Sequence, residues 1–462
     1  MVEVEGVKHA TVSIDGPISN DQRQSDILTR GQLCSDSIMP WGTGFVSSFG
    51  FTFLSRKALG QAEQMMFGGK AGVRDEVGFL IVHQRYSDHF FPGTSVLHTR
   101  LRYALFIPWL YQSLRAGRPV PKDFAQAFTD LEHELTGRLK FAEGVGGEKD
   151  GVIGGEVYPR AISQPPAYVY WTALAKWGLI GTRPDGRPWS RQDMAKLLAS
   201  SSKRAIHDDD GKPFEAVAWP ISGLVDAPAE WEDWGNWDER YNEDGDGKLN
   251  LDLSPQEQSY IAGKLRAVRS PSDPGEPSLL AKLVGRPLDG ADHCWDAAIV
   301  SLAGNEAPML KRAGQAAALS AIGRAIYAAL VETVKENRDK RPQPDRHRSA
   351  LKDTVGQWGK QASRLDMNLF LDEIGHLPLP VEAVLKDTFA WVRAGGKEPM
   401  PLLDVYARAE VSRKDDRARL AANQFGVDRR MEWQGEHHGQ ADPLHYRWGN
   451  VKRLLRDLEG VA

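Results

Sequence analysis

One stretch, residues 90–111, constrains the fold of this chain more than any other. A Pro-Gly turn, two hydroxyl side chains and a long apolar run follow one another there. Thr94 or Ser95 could accept hydrogen bonds from the first N–H groups of a helix, because those groups have no partner within the helix. Apolar side chains occupy every face of Ala104–Leu110, as is typical of a helix buried on all sides. The pattern predicts a helix over 94–111 at the centre of the N-terminal half.

The composition is that of a soluble globular protein. The chain has 462 residues, of which 41% are hydrophobic and 26% charged. It contains no apolar run of the roughly 20 residues needed to span a bilayer and no visible secretion signal, so we expect a cytoplasmic protein without a membrane partner. Two distant cysteines are expected to be reduced thiols. The net charge of -4 means that a nucleic-acid partner would need a local basic patch.

Helical periodicity and turn signals divide the chain into four parts. Residues 1–44 are predicted to be a flexible arm, and 45–204 an N-terminal helical domain built on the 94–111 helix. Residues 205–253 are acidic and rich in tryptophan, which indicates an irregular connection. Residues 254–462 are predicted to form a second, mainly helical domain, whose longest helix covers 306–338. Further helices are predicted over 121–141 and 256–268, and the second of these opens with a capping box of Ser254 and Glu257. The fold class is therefore mainly α, with a few short β-strands.

A helix-turn-helix or winged-helix unit is predicted at 167–199. One short helix is expected from Ala167 to Trp177, and a second is expected to begin after Ser190 and run through Leu198. Two short helices around a turn are typical of DNA-reading modules. The turn is longer than the three or four residues usual for that motif, and a plain helical hairpin is the alternative.

Acidic and imidazole side chains near the C-terminus form a candidate metal site. The residues are Glu436, His437, His438, Asp442 and His445. Such ligands suit Zn²⁺ or Mn²⁺, although their spacing matches no known metal motif and a solvated loop is the alternative. Phosphate-binding, dinucleotide-binding and nucleophile-elbow motifs are all missing. We therefore expect no cofactor and lean against enzymatic activity.

Basic side chains provide candidate phosphate contacts in two regions. The first region comprises His98, Arg100 and Arg102 at the predicted start of the buried helix, where helix N–H groups and guanidinium groups together would suit a phosphate. The second comprises Arg417, Arg419, Arg447, Lys452 and Arg453, with Tyr446 and Trp448 available to stack on bases. The alternative is a solvated face paired with nearby carboxylates, including Asp457, and Arg100 could equally be a buried ion-pair partner.

The same residues carry a resemblance to a bacterial family of unknown function. The first motif is Phe-Pro-Gly-Thr-Ser at 91–95, followed by Thr99-Arg100, Arg102-Tyr103, Phe106, Pro108-Trp109 and Tyr111. A second motif, Leu444-x-Tyr446-Arg447-Trp448, lies near the C-terminus. Together with weaker matches between them, the resemblance covers nearly the whole chain from about Phe49.

The resemblance implies an accessory protein of prokaryotic antiviral defence islands, encoded near helicases and nucleases, without established catalytic residues. The first hypothesis is therefore a subunit that contacts DNA or RNA and a helicase or nuclease partner. The second is a protein–protein scaffold without nucleic-acid contact that docks through its tryptophan-rich 219–237 loop. The third is a metal-dependent hydrolase or nuclease that uses the C-terminal histidine and carboxylate cluster.

Overall fold

A computed structural model describes residues 75–117, 121, 123–142, 151–201, 219–232, 234, 249–439 and 441–459. All of them lie within one compact unit, Ser55–Ala462. The predicted arm at 1–44, the predicted strand at Phe49–Leu54 and most of the acidic connection lie outside the described residues.

The described residues form fifteen α-helices. Five precede the tryptophan-rich segment: α1 Leu80–Phe90, α2 Tyr103–Ala116, α3 Phe124–Ala142, α4 Pro166–Lys176 and α5 Arg191–Ser201. The next four are α6 Pro255–Arg266, α7 Leu279–Leu283, α8 Ala297–Leu302 and α9 Ala307–Asn337. The last six are α10 Arg346–Ala362, α11 Met367–Ile374, α12 Leu379–Arg393, α13 Leu403–Lys414, α14 Gln424–Met431 and α15 Trp448–Arg456.

The mainly α class is confirmed. Among the described residues the only β pairing consists of two isolated antiparallel bridges, Thr182 with Pro188 and Arg269 with Pro277. Both bridges close turns between helices. The few short strands of the prediction are therefore not seen in the described part of the chain.

Helix α2 confirms the predicted burial but not the predicted start. Ala104–Leu110 are buried on every face, yet the helix begins at Tyr103, nine residues after Thr94. Thr94 does not cap it, because its Oγ1 donates to the carbonyl of Phe91 at 2.7 Å in a turn. The N–H groups of residues 99 and 100 donate instead to the hydroxyl of Tyr170 on α4. The Tyr170 hydroxyl thus takes the place of the carbonyl acceptors that a helix would provide, and the chain does not become helical until residue 103.

The Pro-Gly turn before α2 fits tightly against the end of α4. Gly93 has a φ of +82°, in the left-handed region that favours glycine. A Cβ at this position would lie 2.8 Å from Nε1 of Trp177 and 3.2 Å from Cα of Ala173. Trp177 Nε1 donates to the carbonyl of Pro92 at 3.0 Å. The glycine is therefore required both by the backbone conformation and by this close approach.

Helix α9 is the central helix of the described structure. Its residues 313–334 are buried almost without interruption, and α10 runs along it. It is the only described helix long and apolar enough to cross a membrane, but the apolar window lies entirely inside the protein. Gly323 allows α1 to approach closely, because a Cβ there would lie 2.2 Å from the ring of Phe79. The predicted long helix is confirmed.

Buried apolar side chains from both predicted domains join in one hydrophobic core. Leu105 and Trp231 before residue 254 belong to the same cluster as Ile326 and Leu454 after it. The predicted division into domains at 205–253 stays a prediction, because contacts in a native structure do not show which segments fold alone.

Candidate functional site

The first predicted phosphate contact, His98, is an internal group. Its ring is 1% exposed and stacks on Tyr170 with centroids 4.1 Å apart. Nε2 lies 3.2 Å from the carbonyl of Val169, and Nδ1 accepts from the N–H of Ser95. Burial lowers the pKa of His98 to about 3. A neutral, enclosed imidazole provides no charge for an external phosphate, so the prediction that His98 is an exposed cation is wrong.

Arg100 is held by two carboxylates from distant parts of the chain. Its Nη2 donates to Asp252 at 2.7 Å, and its Nε donates to Asp457 at 2.9 Å. Burial opposes the charge of Arg100, but the hydrogen bond to Asp252 and the charge of Asp457 outweigh it and raise the pKa. Asp457 also accepts from the N–H of Leu101 at 2.7 Å. Arg100 is thus an ion-pair partner, as the alternative had it, with a part-buried pair to Asp457 and an exposed one to Asp252.

Arg102 forms a second internal ion pair. Its Nη2 donates to Glu257 at 2.8 Å, and the two side chains are 7% and 3% exposed. Its Nη1 donates to the backbone carbonyl and the side-chain oxygen of Asn250. Glu257 is itself fixed by the capping box that opens α6, in which its other oxygen accepts from the N–H of Ser254. The prediction that Arg102 stands free at a helix start is therefore wrong.

The C-terminal helix α15 holds the 91–102 turn segment from the other side. Arg447 Nη1 donates to the carbonyl of Thr94 and pairs with Asp88, both at 2.7 Å. The side chain of Asn450 donates to the carbonyls of Val96 and His98. The two family-like motifs of the sequence thus meet in space, and their arginines link elements of the protein interior to one another.

The aromatic residues of the second motif are also internal. Tyr446 is buried and donates its hydroxyl proton to the carbonyl of Ala313 on α9 at 2.8 Å. Trp448 is 1% exposed and donates through Nε1 to Ala291, whose carbonyl also accepts from Lys452. Both rings therefore pack inside the protein, which is the alternative to stacking on bases, and neither reaches the surface.

The remaining basic candidates differ in exposure. Arg419 is largely buried and pairs with Glu76 at 3.0 Å. Arg417 and Arg453 are exposed, on the short helix after α13 and on α15. Helix α15 is strongly amphipathic: Val451, Leu454 and Leu455 are buried, whereas Arg453 and Arg456 are exposed. An outward basic face thus remains on α15.

The proposed metal ligands do not converge. His437 is exposed and lies 2.6 Å from Oε1 of Gln434, whereas His438 lies against Trp433 and His347. His445 is turned inward, with its ring centroid 5.1 Å from that of His83. Within the described ranges no group of three or more histidine, cysteine or carboxylate side chains is placed to hold a metal ion. Glu436 and Asp442 are exposed and do not complete such a group.

The tryptophan-rich segment packs inward as well. Trp231 is 1% exposed, stacks on Phe106 of α2 and donates to Ser113. The guanidinium of Arg138 lies 4.5 Å from the ring of Trp234. Trp237 lies outside the described residues. The described part of this segment covers α2 and is not an exposed docking patch.

One buried basic residue stands apart from these satisfied arginines. Arg324, in the middle of α9, is 8% exposed, and its three side-chain nitrogens are buried with no hydrogen-bond partner among the described residues. Ser320, one turn earlier on the same helix, has a buried hydroxyl in the same state. On α1, both ring nitrogens of His83 and the hydroxyl of Ser87 are likewise unpartnered.

Burial lowers the pKa values of both Arg324 and His83. Burial lowers the pKa of Arg324 to about 10, and only the charges of Asp442 and Asp75 counteract it. Burial, with the positive charges of neighbouring groups including Arg447 and Arg324, holds the pKa of His83 well below its usual range. Asp75 is already engaged by Arg413 at 2.6 Å. Arg324 is therefore a buried cation to which no carboxylate of the described residues is hydrogen-bonded.

The sequence analysis missed the buried polar groups of Arg324 and His83, although the sequence contains a signal for the first. Arg324 interrupts the apolar run of α9, where a buried cation has no obvious partner. His83 and Ser87 are one helical turn apart, but residues 74–87 gave mixed helix and strand signals, so their shared face was not evident. The partners Asp252, Glu257 and Asp457 were also missed as partners of Arg100 and Arg102, since each lies more than 150 residues away.

Comparison with known proteins gives one match. No curated protein and no solved structure matches the chain. A family model does, over a range that contains the Pro-Gly turn, the buried helix α2 and α4, the first helix of the predicted two-helix unit. Over residues 57–190 the chain is similar to a family of unknown function, DUF6361.

Proposed function

We propose that the protein is a non-enzymatic accessory subunit of a prokaryotic antiviral defence complex that works in the cytoplasm, and that it contacts nucleic acid and a helicase or nuclease partner. The association with defence rests on the motif resemblance of the sequence. The nucleic-acid contact is proposed for the outward face of α15, not for the internal residues His98, Arg100 and Arg102.

The amphipathic character of α15 is the observation that supports this proposal. Its apolar side chains are buried, so the helix is fixed on the protein and presents Arg453 and Arg456 outward. The adjacent carboxylate of Asp457 pairs with Arg100. Exposed arginines on a rigid element can bind phosphates without the cost of ordering a loop.

The two-helix unit provides a second candidate surface. Helix α5 packs against α3, and its Arg191, Gln192 and Lys196 are exposed. In the helix-turn-helix interpretation these side chains would face the major groove. The long connection from 177 to 190 remains unusual for that motif, and a helical hairpin is the competing interpretation.

Charge reversal on α15 tests the proposal. Binding of duplex DNA, single-stranded DNA and RNA to the full chain is measured by fluorescence anisotropy at several salt concentrations. Loss of two phosphate contacts in Arg453→Glu/Arg456→Glu is expected to weaken binding to the preferred nucleic acid and to reduce the slope of log K against log salt by about two. Arg364→Glu, an exposed arginine just after α10 and outside both candidate surfaces, is the control and should leave the slope unchanged.

The competing functions give different results. If no nucleic acid binds with a salt-dependent affinity, the α15 proposal fails, and the internal position of Arg100, Arg102 and Arg447 favours a scaffold. A scaffold would still form a stoichiometric complex with a partner protein, and the α15 variant would not disturb that complex. Zinc or manganese retained by the purified protein would instead favour the metal-dependent hydrolase.

A further inference from the structure

The connection between α9 and α10 is rich in basic residues. Residues 335–348, which cover the end of α9, the connection and the start of α10, contain six lysine and arginine residues and three acidic ones. Four of the basic residues are exposed, and within the described ranges no ion pair or side-chain hydrogen bond involves them. We call these four residues the basic loop: Arg338, Lys340, Arg341 and Arg346.

The acidic side chains of the same stretch are bound to arginines outside the basic loop. Asp339 is engaged by Arg430 of α14, whose Nε and Nη2 donate to its two oxygens at 2.6 and 2.8 Å. Glu336 and Asp345 both pair with Arg348. The carboxylates nearest to the basic loop in sequence therefore do not neutralise it, and the loop keeps a net positive charge.

The basic loop is held in place from both of its ends. On the α9 side, Asp339 is fixed by its pair with Arg430, and the N–H of Arg341 donates to the carbonyl of Lys335 at 3.1 Å. On the α10 side, the buried carboxylate of Glu332 accepts from the N–H groups of residues 346–348. A surface that is already ordered can bind a polyanion with little further loss of conformational freedom.

Lys340 occupies a backbone position that favours glycine. Its φ is +56°, in the left-handed region, where a residue with a Cβ is strained and where helices commonly end in glycine. The lysine side chain is exposed and makes no ion pair with the described part of the chain, so its charge does not compensate for this strain within the fold. A contact outside the chain would explain why a cation stands there.

We propose that the basic loop binds the phosphate backbone of duplex nucleic acid without reading its sequence. A duplex carries one negative charge per about 1.7 Å, and cations that neutralise its phosphates gain affinity by releasing counterions. Single strands are bound largely by stacking on aromatic rings. The only ring within 335–348 is that of His347, which is 6% exposed and packs near Trp433. This inference rests on the proposed function for its class of ligand, but the surface is not that of α15.

Neutralisation of two loop arginines tests the contact. Binding of the full chain to two duplex DNAs of unrelated sequence and to one single strand is measured by fluorescence anisotropy at several salt concentrations. Arg341→Gln/Arg346→Gln should reduce the slope of log K against log salt by about two on both duplexes. Arg364→Gln, which removes an exposed charge at the other end of α10, is the matched control and should keep the slope.

Substitution of Lys340 separates binding from folding. Glycine adopts the left-handed φ without strain, so Lys340→Gly should keep or raise the melting temperature while it reduces the duplex slope by about one. If Lys340 served the fold alone, the variant would lower the melting temperature and keep the slope, which would contradict the proposal.

The outcomes also separate this surface from α15. An unchanged duplex slope in Arg341→Gln/Arg346→Gln would overturn the basic-loop contact, and a reduced slope in Arg453→Glu/Arg456→Glu would then leave the α15 contact standing alone. A loss confined to one duplex sequence or to the single strand would also overturn the inference, because backbone binding to a duplex predicts neither. If the unmodified protein binds no nucleic acid in a salt-dependent way, both contacts fail.

Discussion

At the scale of single residues, several basic side chains that the sequence predicts to contact phosphate make their contacts within the protein instead. His98, Arg100 and Arg102 follow a turn that resembles a phosphate-binding helix start, yet each is engaged inside the protein. A cation beside an apolar helix is stable only when an acceptor accompanies it. These residues therefore join segments of the fold instead of marking a surface.

Acidification provides a test of the environment of His98. The folded-state pKa of about 3 lies below the ordinary value of 6.5, so the unfolded chain binds the proton more readily. The stability that neutral His98 contributes is complete above about pH 6.5 and is lost as the pH falls toward 3. The loss is about 1.4 kcal/mol for each pH unit within that range.

The measurement is the free energy of unfolding in urea from pH 7.5 to pH 5, compared with His98→Asn. Only differences in slope are compared, because Glu132, whose pKa burial raises to about 7, contributes in the opposite sense and is common to both proteins. The variant should lose less stability on acidification. His376→Asn, which removes an exposed ring, should keep the original slope. Equal slopes for His98→Asn and the original protein would contradict the assigned burial.

At the scale of secondary structure, local signals predict helices well where local groups satisfy the helix ends. Ser254 caps α6 with its hydroxyl, and the predicted capping box with Glu257 is present. We expect Ser254→Ala to reduce the free energy of unfolding by about 1 kcal/mol. Denaturant titration monitored by circular dichroism measures the change, and Ser363→Ala, outside any N-terminal cap, should have a smaller effect. An equal loss in both variants would mean that the Ser254 cap contributes nothing specific.

The same reasoning explains where sequence analysis failed. Helices α3, α4, α5 and α6 were predicted to within a turn, because apolar periodicity and capping residues define them locally. The start of α2 was misplaced, because Tyr170 and Asp457, which are distant in sequence, accept hydrogen bonds from backbone N–H groups of the segment before it. Helices α13 and α14 were missed. For the site, the sequence shows which residues carry charge, but pairing partners such as Glu257 become known only when distant segments pack together.

At the scale of the whole molecule, contacts between segments before and after residue 254 predict that the two parts fold together as one cooperative unit. Arg100 pairs with Asp457, and Gly323 on α9 receives the ring of Phe79. We expect the fragment 254–462 to lack a cooperative thermal transition, because α9 would lose the α1 side of its packing and Asp457 its cationic partner.

Circular dichroism and thermal unfolding of the isolated fragment check this expectation. Co-expression with the fragment 55–253 provides the control, since it restores the missing surface and should recover a cooperative transition. A fragment 254–462 that melts cooperatively on its own would instead confirm the predicted division into domains.

The hydrogen bonds that Asp457 accepts from Arg100 and Leu101 also have a consequence for biosynthesis. The acceptor of the Arg100 Nε lies 357 positions later in the chain. A ribosome that adds about 5 to 20 residues per second needs on the order of 20 to 70 s to cover that interval. During that time the guanidinium group of Arg100 and the apolar turn beside it lack their C-terminal contacts. We therefore expect the nascent N-terminal half to bind chaperones during translation.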